Sequence, residues 1–282
     1  MRKIKEKIKS HIPKPFWDFI RKVWIFLHIL LEKFKKKEQT ISYSGITLFY
    51  NRGNSVIARL KSEKVYEEEM CVHIVNTLQK KEKSVLMDIG ANVGLVTSYV
   101  LEKVPNSYIY AFEPGPVQAN LLQKTIEANH LDKNVELHKI ALAEKAGTQT
   151  FYTHLTRDQA KDGLLDTGRG EKTVQIEVQT STIDEWWKNA GKPHIDVVKI
   201  DTEGAELFVL RGASEFLKEV KPIIYLEIEP SNLKAYPYTH IDIASYLFSN
   251  QYRLETLTGD LVIIDTIDSF LEKNDTFVAI PI

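Results

Sequence analysis

A glycine-containing turn at residues 88–94 is the part of the sequence whose residue types and spacing most directly indicate ligand chemistry. The segment DIGANVG follows a short apolar run and precedes a helical pattern. Gly90 and Gly94 allow the backbone to turn tightly and to approach a ligand closely. Asn92 breaks the G-x-G-x-x-G spacing of a pyrophosphate-binding turn, and a carboxylate at Asp88 suits a ligand that carries an ammonium or sulfonium group.

A second acidic residue, Glu113, ends the next apolar run and is followed by Pro114. A carboxylate in this position accepts hydrogen bonds from the two ribose hydroxyls of an adenosine-containing cofactor. Dinucleotides and S-adenosylmethionine both contain that ribose, so Glu113 alone does not distinguish them. The structural alternative is that this carboxylate only stabilises the start of a helix through the helix dipole.

Three charged residues near the ends of two further apolar runs could perform acid–base chemistry. Lys199 and Asp201 share one face of an extended strand, and Glu227 lies at the end of the following strand. If those strands are neighbours, Asp201 and Glu227 meet at one edge, where a carboxylate could accept the proton of a hydroxyl substrate or hold a divalent cation. We do not favour a metal requirement. The structural alternative for Glu227 is an ion pair with Lys199.

Other residues offer alternatives for the same chemistry. His154 and His240 are the histidines best placed to act as a base, and the remaining histidines lack metal-ligand spacing. Tyr236 and Tyr238 lie in a loop that follows a strand, and loop tyrosines can stack on a sugar ring.

Alternating strand and helix patterns must position these candidates. The alternation predicts a parallel sheet with helices on both faces. The chain then ends on two strand patterns without a full crossover helix between them, which predicts an antiparallel excursion at the sheet edge. Strands are predicted at residues 84–88, 108–112, 135–139, 196–200, 223–228, 252–257 and 276–280.

A long insertion at residues 148–180 separates the third and fourth predicted strands. It contains two strand patterns, 149–154 and 173–179, joined by a polar segment rich in Gly and Asp. Such a segment is either a mobile lid over the site or an exposed hairpin.

The first 38 residues form a basic arm on an acidic body. They carry twelve Lys/Arg and four Asp/Glu, a net charge of +8, whereas the whole chain has a net charge of −1. The apolar run 16–31 is short for a membrane span and fits an amphipathic helix at an anionic membrane surface. The alternative is packing on the chain's own domain or in a homodimer. The acidic body argues against a nucleic-acid partner.

The amino-acid composition limits which classes of protein remain possible. A chain of 282 residues that is 43% hydrophobic can bury a substantial core, which excludes a fully disordered protein. Its single cysteine forms no internal disulfide, which suits a cytoplasmic protein, at the inner face of the membrane if the arm docks there. We predict an arm at 1–40 and one domain at 41–282, whose cofactor-binding core spans about 84–230.

Five motifs together resemble the FkbM family of class I S-adenosylmethionine-dependent methyltransferases. The resemblance covers roughly residues 62–260, and the basic arm lies outside it. The motifs are DIGANVG (88–94), FEP (112–114), NVELHKIALAEKAG (134–147), DVVKIDTEGAELFVLRGA (196–213) and IYLEIEP (224–230).

The resemblance implies a Rossmann-like α/β fold with a seven-stranded, mostly parallel sheet whose last strand is antiparallel. It also implies transfer of a methyl group from S-adenosylmethionine to a hydroxyl of a sugar, glycan or secondary metabolite. The apolar residues 140–142 leave the adenine amino group to the backbone or to Glu144. By position, the methionine part would be lined by Asp88, Gly90, Ala91, Asn92 and Gly94, the ribose bound by Glu113 beside Pro114, and the adenine flanked by Ala141 and Leu142.

Two other functions stay open on the sequence alone. An NAD-dependent oxidoreductase would share the fold and the ribose-binding acid, although the broken glycine spacing argues against it. A membrane-tethered protein that binds the cofactor without turnover would share the fold as well, although the presence of Asp88, Glu113 and Asp201 argues against it. The leading hypothesis is an O-methyltransferase.

Overall fold

The computed structural model describes residues 38–51, 54–63, 67–154, 161–168 and 173–282. Most of the basic arm lies outside the described residues, so its amphipathic helix and its boundary at residue 40 stay predictions. In the described part, no helix combines the length and the apolar character that crossing a bilayer requires.

The described residues alternate between strands and helices, as the sequence predicts. The strands are β1 (Glu38–Tyr43), β2 (Ile46–Asn51), β3 (Val85–Ile89), β4 (Tyr108–Phe112), β5 (Val135–His138), β6 (Ala141–Leu142), β7 (Gly147–His154), β8 (Thr173–Ser181), β9 (Val197–Ile200), β10 (Ile223–Glu227), β11 (Tyr252–Thr256), β12 (Leu261–Val262) and β13 (Thr276–Pro281). The helices are α1 (Ser55–Glu63), α2 (Glu68–Leu78), α3 (Leu95–Lys103), α4 (Pro116–Ala128), α5 (Ile183–Asn189), α6 (Glu206–Arg211), α7 (Ser214–Val220), α8 (Pro230–Leu233), α9 (His240–Ser249) and α10 (Ile267–Leu271).

The main sheet has the strand order β12-β11-β13-β10-β9-β3-β4-β5. The strands β5, β4, β3, β9 and β10 pair in parallel, and β13 pairs antiparallel with both β10 and β11. This confirms the Rossmann-like α/β fold with an antiparallel last strand. Two details of the prediction are wrong. The antiparallel strand lies inside the sheet, between β10 and β11, and the two-residue β12 adds an eighth strand at the edge.

Both faces of the sheet are buried, as expected for a parallel sheet between helices. Side chains alternate along β3, so that Leu86 packs into one core while Met87 and Ile89 pack into the other. Burial on both faces explains why the central strands read as continuous apolar runs. It also makes the polar residues at the strand ends, such as Asp88 and Lys199, stand out in the sequence.

The insertion forms a small sheet of its own with the strand order β6-β8-β7. The β7 and β8 strands pair antiparallel over their length, which confirms the two strands predicted there. The β8 strand also pairs in parallel with β6, and β6 directly follows β5 of the main sheet. The insertion is therefore attached at residues 141–142, the two residues that the family resemblance assigns to the adenine.

Candidate active site

A cleft lies at the carboxyl ends of β3, β4 and β9. This is the edge at which ligands bind in open parallel sheets, because the loops diverge there. The lining combines apolar side chains with carboxylates. Its apolar members are Ile89, Phe112, Pro114, Ile140, Ala141, Leu142, Phe151, Leu164 and Ala205, and the rest of the lining is Gly90, Asn92, Glu113, Gln118, Asp162, Asp201, Thr202 and Glu203.

The turn after β3 brings the backbone to the edge of the cleft. Gly90 has a φ of +78°, and its N–H donates to the carbonyl of Phe112 at 3.0 Å. A Cβ atom on Gly90 would lie 1.8 Å from the carbonyl oxygen of Asp201. No other residue type fits this position without moving the end of β9, so the glycine is required by sterics as well as by its φ angle.

Glu113 presents a buried carboxylate to the cleft. Its side chain accepts hydrogen bonds from the backbone N–H groups of Asn92 at 2.9 Å and Gly115 at 2.7 Å. Burial raises the pKa of Glu113 to about 7, against the lowering effect of those two N–H donors, and the charge of Asp162 raises it further. The carboxylate therefore links the β3 turn to the start of α4 and is poised to ionise near neutral pH.

Asp88 is buried within β3, two residues before Gly90, and does not line the cleft. It is fully buried, and its carboxylate accepts a hydrogen bond from the Thr97 hydroxyl at 2.7 Å. The Lys199 ammonium lies 3.5 Å from Asp88 and 3.1 Å from Asp201, and it donates to the Gly90 carbonyl at 3.0 Å. The Lys199 cation thus joins the ends of β3 and β9. Asp88 and Lys199 act on the cleft only through the lining residues Gly90 and Asp201.

Asp201 and Glu227 meet at the end of neighbouring strands, as the sequence predicts. The pKa of Glu227 lies well above its usual value because of burial and the nearby charges of Asp201 and Glu203. Glu227 therefore holds its own proton more tightly than an exposed carboxyl does. Asp201 lines the cleft, so it is the member of the pair that can face a ligand.

The loop 201–204 is held in place by a buried acid that follows it. The Glu206 carboxylate accepts hydrogen bonds from the Thr202 N–H at 3.1 Å, the Thr202 hydroxyl at 3.0 Å and the Gly204 N–H at 3.0 Å. Burial raises the pKa of Glu206 to about 7. On the other side of the loop, the Asn232 amide donates to Glu203 at 3.0 Å. These contacts turn Asp201, Thr202 and Glu203 towards the cleft.

The insertion contributes an acid to the cleft that the sequence did not single out. The Asp162 carboxylate accepts hydrogen bonds from the Gln118 amide at 3.1 Å, the Thr153 hydroxyl at 2.6 Å and the His154 N–H at 2.8 Å. The His154 ring lies 3.1 Å from the same carboxylate and is buried. No sequence spacing could have paired Asp162 with Gln118, because the two residues lie 44 positions apart on different elements.

The other candidate residues named from the sequence lie outside the lining of the cleft. Tyr236 and Tyr238 are buried and pack edge-on against Phe208, so the expectation that they stack on a sugar ring is wrong. His240 lies 2.8 Å from Asp268 and does not line the cleft. Glu144 does not line it either and pairs with Arg211 at 3.6 Å on the surface.

Seven of the twelve residues predicted for the site line the cleft, and five do not. The distinction separates residues that can touch a ligand from residues that support them. Those in the lining are Gly90, Asn92, Glu113, Pro114, Ala141, Leu142 and Asp201, and those outside it are Asp88, Ala91, Gly94, Lys199 and Glu227. Within the described ranges, no cluster of three or more His, Cys, Asp or Glu residues is arranged to hold a metal ion.

Comparisons with known proteins agree on one family. The model of the methyltransferase FkbM domain matches residues 88–254, more than half of the chain. Methyltransferase sdnD from Sordaria araneosa is 27% identical over 206 residues, 63% of this chain and 79% of that protein. The 2-O-methyltransferase NoeI from Sinorhizobium fredii is 28% identical over 57% of this chain and 69% of its own. The hexuronic acid methyltransferase AglP from Haloferax volcanii is 26% identical over 52% of this chain and 56% of its own.

Proposed function

The chain belongs to the FkbM methyltransferase family, and from that premise we propose that it transfers a methyl group from S-adenosylmethionine to a hydroxyl of a sugar, glycan or secondary metabolite. The observation that carries the proposal is the composition of the cleft at the ends of β3, β4 and β9. Its lining contains apolar residues suited to an adenine ring and the Glu113 carboxylate, which can accept hydrogen bonds from ribose hydroxyls.

The residues in the lining fit each part of this cofactor. Ala141 and Leu142 border the adenine side, and Glu113 faces the ribose position beside Pro114. The bare backbone at Gly90 and the side chain of Asn92 border the remaining part of the cleft, where the methionine group would lie. When bound, S-adenosylmethionine supplies an electrophilic methyl group on a positively charged sulfur, and a lining that carries four carboxylates is electrostatically suited to that charge.

Asp201 is the residue we assign to accept the proton of the acceptor hydroxyl. It lines the cleft and is paired with Lys199 below. The Lys199 ammonium lies 3.1 Å from Asp201 and orients its carboxylate, while the neighbouring Glu227 carboxyl holds its own proton more tightly than usual. Asp201 is therefore the member of this pair that we assign as the general base.

The acceptor class is inferred from the relatives. One of them is named as a 2-O-methyltransferase and another as a hexuronic acid methyltransferase. Both names describe modification of an oxygen or of a sugar acid in those proteins. The carboxylates in the lining of this cleft support a hydroxyl acceptor, because a carboxylate can bind and deprotonate a hydroxyl.

The test is calorimetric titration of the purified chain with S-adenosylmethionine and, separately, with NAD. We expect micromolar binding of S-adenosylmethionine and a loss of at least tenfold in affinity in Glu113→Ala. Glu144→Ala, an acid near the cleft but outside its lining, serves as the matched control and should bind like the wild type. Binding of NAD instead would favour the oxidoreductase alternative. Tight cofactor binding without methyl transfer to a broad panel of hydroxyl acceptors would favour the non-catalytic alternative.

We further propose that the basic arm brings the protein to the inner face of a membrane. The support is its net charge of +8 over residues 1–38 and the two tryptophans in its apolar run. Co-sedimentation of the full chain with vesicles containing 30% phosphatidylserine, lost when residues 1–38 are deleted, would bear this out. Dimerisation through the arm predicts instead a change in mass on deletion, measured by light scattering, without vesicle binding.

A further inference from the structure

The segment 161–165 of the insertion forms part of the wall of the cleft and is fastened on both sides. Gly163 pairs with Tyr152 through two backbone hydrogen bonds of 2.8 and 3.0 Å, and a Cβ on Gly163 would lie 3.5 Å from the Glu203 Cβ. Leu164 is buried in the same core as Phe151. The segment therefore reaches from α4, through the contact of Asp162 with Gln118, to the loop after β9, and Asp162 and Leu164 belong to the lining.

Asp162 makes the contacts that fasten this segment to α4. One carboxylate oxygen accepts from the Gln118 amide and the Thr153 hydroxyl. The other oxygen accepts from the His154 N–H and contacts the His154 ring. The side chain is only 4% exposed. With four polar contacts, both oxygens are engaged by protein groups, so this carboxylate supports the wall of the cleft instead of serving as a ligand.

The same carboxylate acts on the charge of Glu113. Burial is the largest influence on the pKa of Glu113, and four neighbouring groups add to it or oppose it. The N–H groups of Asn92 and Gly115 and the cation of Lys199 favour the ionised form of its carboxylate, whereas the charge of Asp162 disfavours it. Asp162 is the acidic neighbour among these groups, and it comes from the insertion and not from the sheet.

We propose that Asp162 is a positioning residue for cofactor binding, which fastens the insertion across the cleft and places a second carboxylate beside Glu113. This inference rests on the proposed function, because it assigns the ribose of S-adenosylmethionine to Glu113. It makes the insertion part of the cofactor site and gives it a role in the pH dependence of binding.

Two substitutions separate the effect of the Asp162 charge from the effect of its hydrogen bonds. Asp162→Asn keeps one acceptor for the His154 N–H, and the Gln118 amide can rotate to accept from the new amide group, so this variant removes mainly the charge. Asp162→Ala removes the charge and the contacts. Asp166 provides the matched control: it lies in the same insertion, accepts from Gly168 and Thr173, and does not line the cleft.

The experiment is titration of the full chain with S-adenosylmethionine between pH 5.5 and 8.5. In the wild type, binding to an ionised Glu113 should weaken by up to about tenfold per pH unit below a midpoint near 7. Asp162→Asn should move that midpoint to lower pH. Asp162→Ala should in addition raise the Kd at pH 8 by about tenfold or more. The same substitutions at Asp166 should change neither quantity.

Two results would overturn the inference while leaving the proposed function intact. One is an unchanged midpoint in Asp162→Asn, which would show that Asp162 does not act on Glu113. The other is an equal loss of affinity in the Asp162 and Asp166 variants, which would indicate general destabilisation of the insertion. Failure of the wild-type chain to bind S-adenosylmethionine at any pH would overturn the proposed function and this inference together.

Discussion

Buried carboxylates in this protein differ in role because their hydrogen-bond donors differ. Glu113 and Glu206 both have a pKa of about 7, raised by burial in each case. Glu113 takes its donors from two separate segments and still faces the cleft. Glu206 takes all three of its donors from the loop that precedes it and faces no ligand. Glu113 is therefore suited to binding a ligand, and Glu206 is suited to holding the loop 201–204 in place.

Glu206 should make stability depend on pH. Its pKa is higher in the folded chain than in an unfolded one, so the folded state binds the proton more tightly, and the stability it contributes is lost as the pH rises from about 4.5 to about 7. Glu206→Gln keeps the acceptor oxygen and cannot ionise. We expect the free energy of unfolding to fall less between pH 5 and pH 7.5 in this variant, by about 1–3 kcal/mol.

Urea unfolding of both proteins at four pH values measures this difference. Glu113 contributes a pH dependence of the same sign, so the variant should retain part of the slope. Parallel curves for the wild type and Glu206→Gln would contradict the assignment.

Lys199 should be one of the least replaceable residues of the core. Burial lowers the pKa of its ammonium, but the charges of Asp201 and Asp88 outweigh burial and hold it above the usual value. Lys199→Met would leave two carboxylates without their cation in a buried position. We expect a loss of about 3–5 kcal/mol in the free energy of unfolding, measured by urea denaturation.

The control for Lys199 is an exposed ion pair on the same protein. Lys188 pairs with Glu215 at 2.7 Å, with both side chains about half exposed. Surface pairs of this kind contribute little, so Lys188→Met should unfold at nearly the wild-type urea concentration. Similar midpoints for the two variants would mean that the Lys199 cluster is not coupled to folding.

At the scale of elements, the cleft exists because β3 and β9 end at the same level and their following turns nearly touch. The two turns approach each other at Gly90 and Asp201, and the Lys199 ammonium contacts both residues. The β3 turn can therefore not be altered without displacing the loop that carries Asp201. The turn that we propose to border the cofactor and the loop that carries the proposed base are therefore in steric contact.

Gly90→Ala tests that linkage. The new Cβ would meet the Asp201 carbonyl and would also be strained by the positive φ angle. We expect a loss of about 3 kcal/mol or more in the free energy of unfolding, together with loss of cofactor binding. Gly259→Ala is the control, because Gly259 has a φ of +87° and no atom within 4 Å of the added Cβ.

Comparing Gly90→Ala with Gly259→Ala separates the energetic cost of the positive φ angle from the cost of the clash with the Asp201 carbonyl. Strain from the φ angle alone should make Gly259→Ala less stable by about 1 kcal/mol, without affecting cofactor affinity. If Gly90→Ala were no more destabilised than Gly259→Ala, the contact between the two turns would not be rigid. Thermal unfolding and calorimetric titration of both variants provide the measurement.

At the scale of the whole molecule, the cleft is built from the main sheet, α4 and the insertion together. A cofactor that contacts all three should stabilise the folded chain as a unit, because it binds the folded state alone. At a concentration 100 times its Kd, S-adenosylmethionine should add about 2.7 kcal/mol to the free energy of unfolding. NAD at the same concentration should add nothing. Differential scanning fluorimetry shows this as a rise in Tm, and equal rises with both compounds would count against a methyltransferase cleft.

Much of the fold could be predicted from the sequence because its signals are local. Continuous apolar runs such as 197–198 and 223–226 reflect strands buried on both faces, and the turn at 88–94 has a glycine where a positive φ is needed. The placement of the antiparallel strand between β10 and β11 could not be read this way, since strand order depends on pairing between distant segments and not on the composition of either one.

The sequence by itself determined which residue types are available to the site, and the tertiary structure decided which of them line the cleft. Glu113 and Asp201 are readable because each follows a strand directly, so the end of the strand fixes its position. Asp88 and Lys199 lie one residue before the ends of β3 and β9, and the pairing of these two strands buries them behind the cleft lining. Asp162 carries no local signal, because only the folding of the insertion onto α4 brings its carboxylate to Glu113.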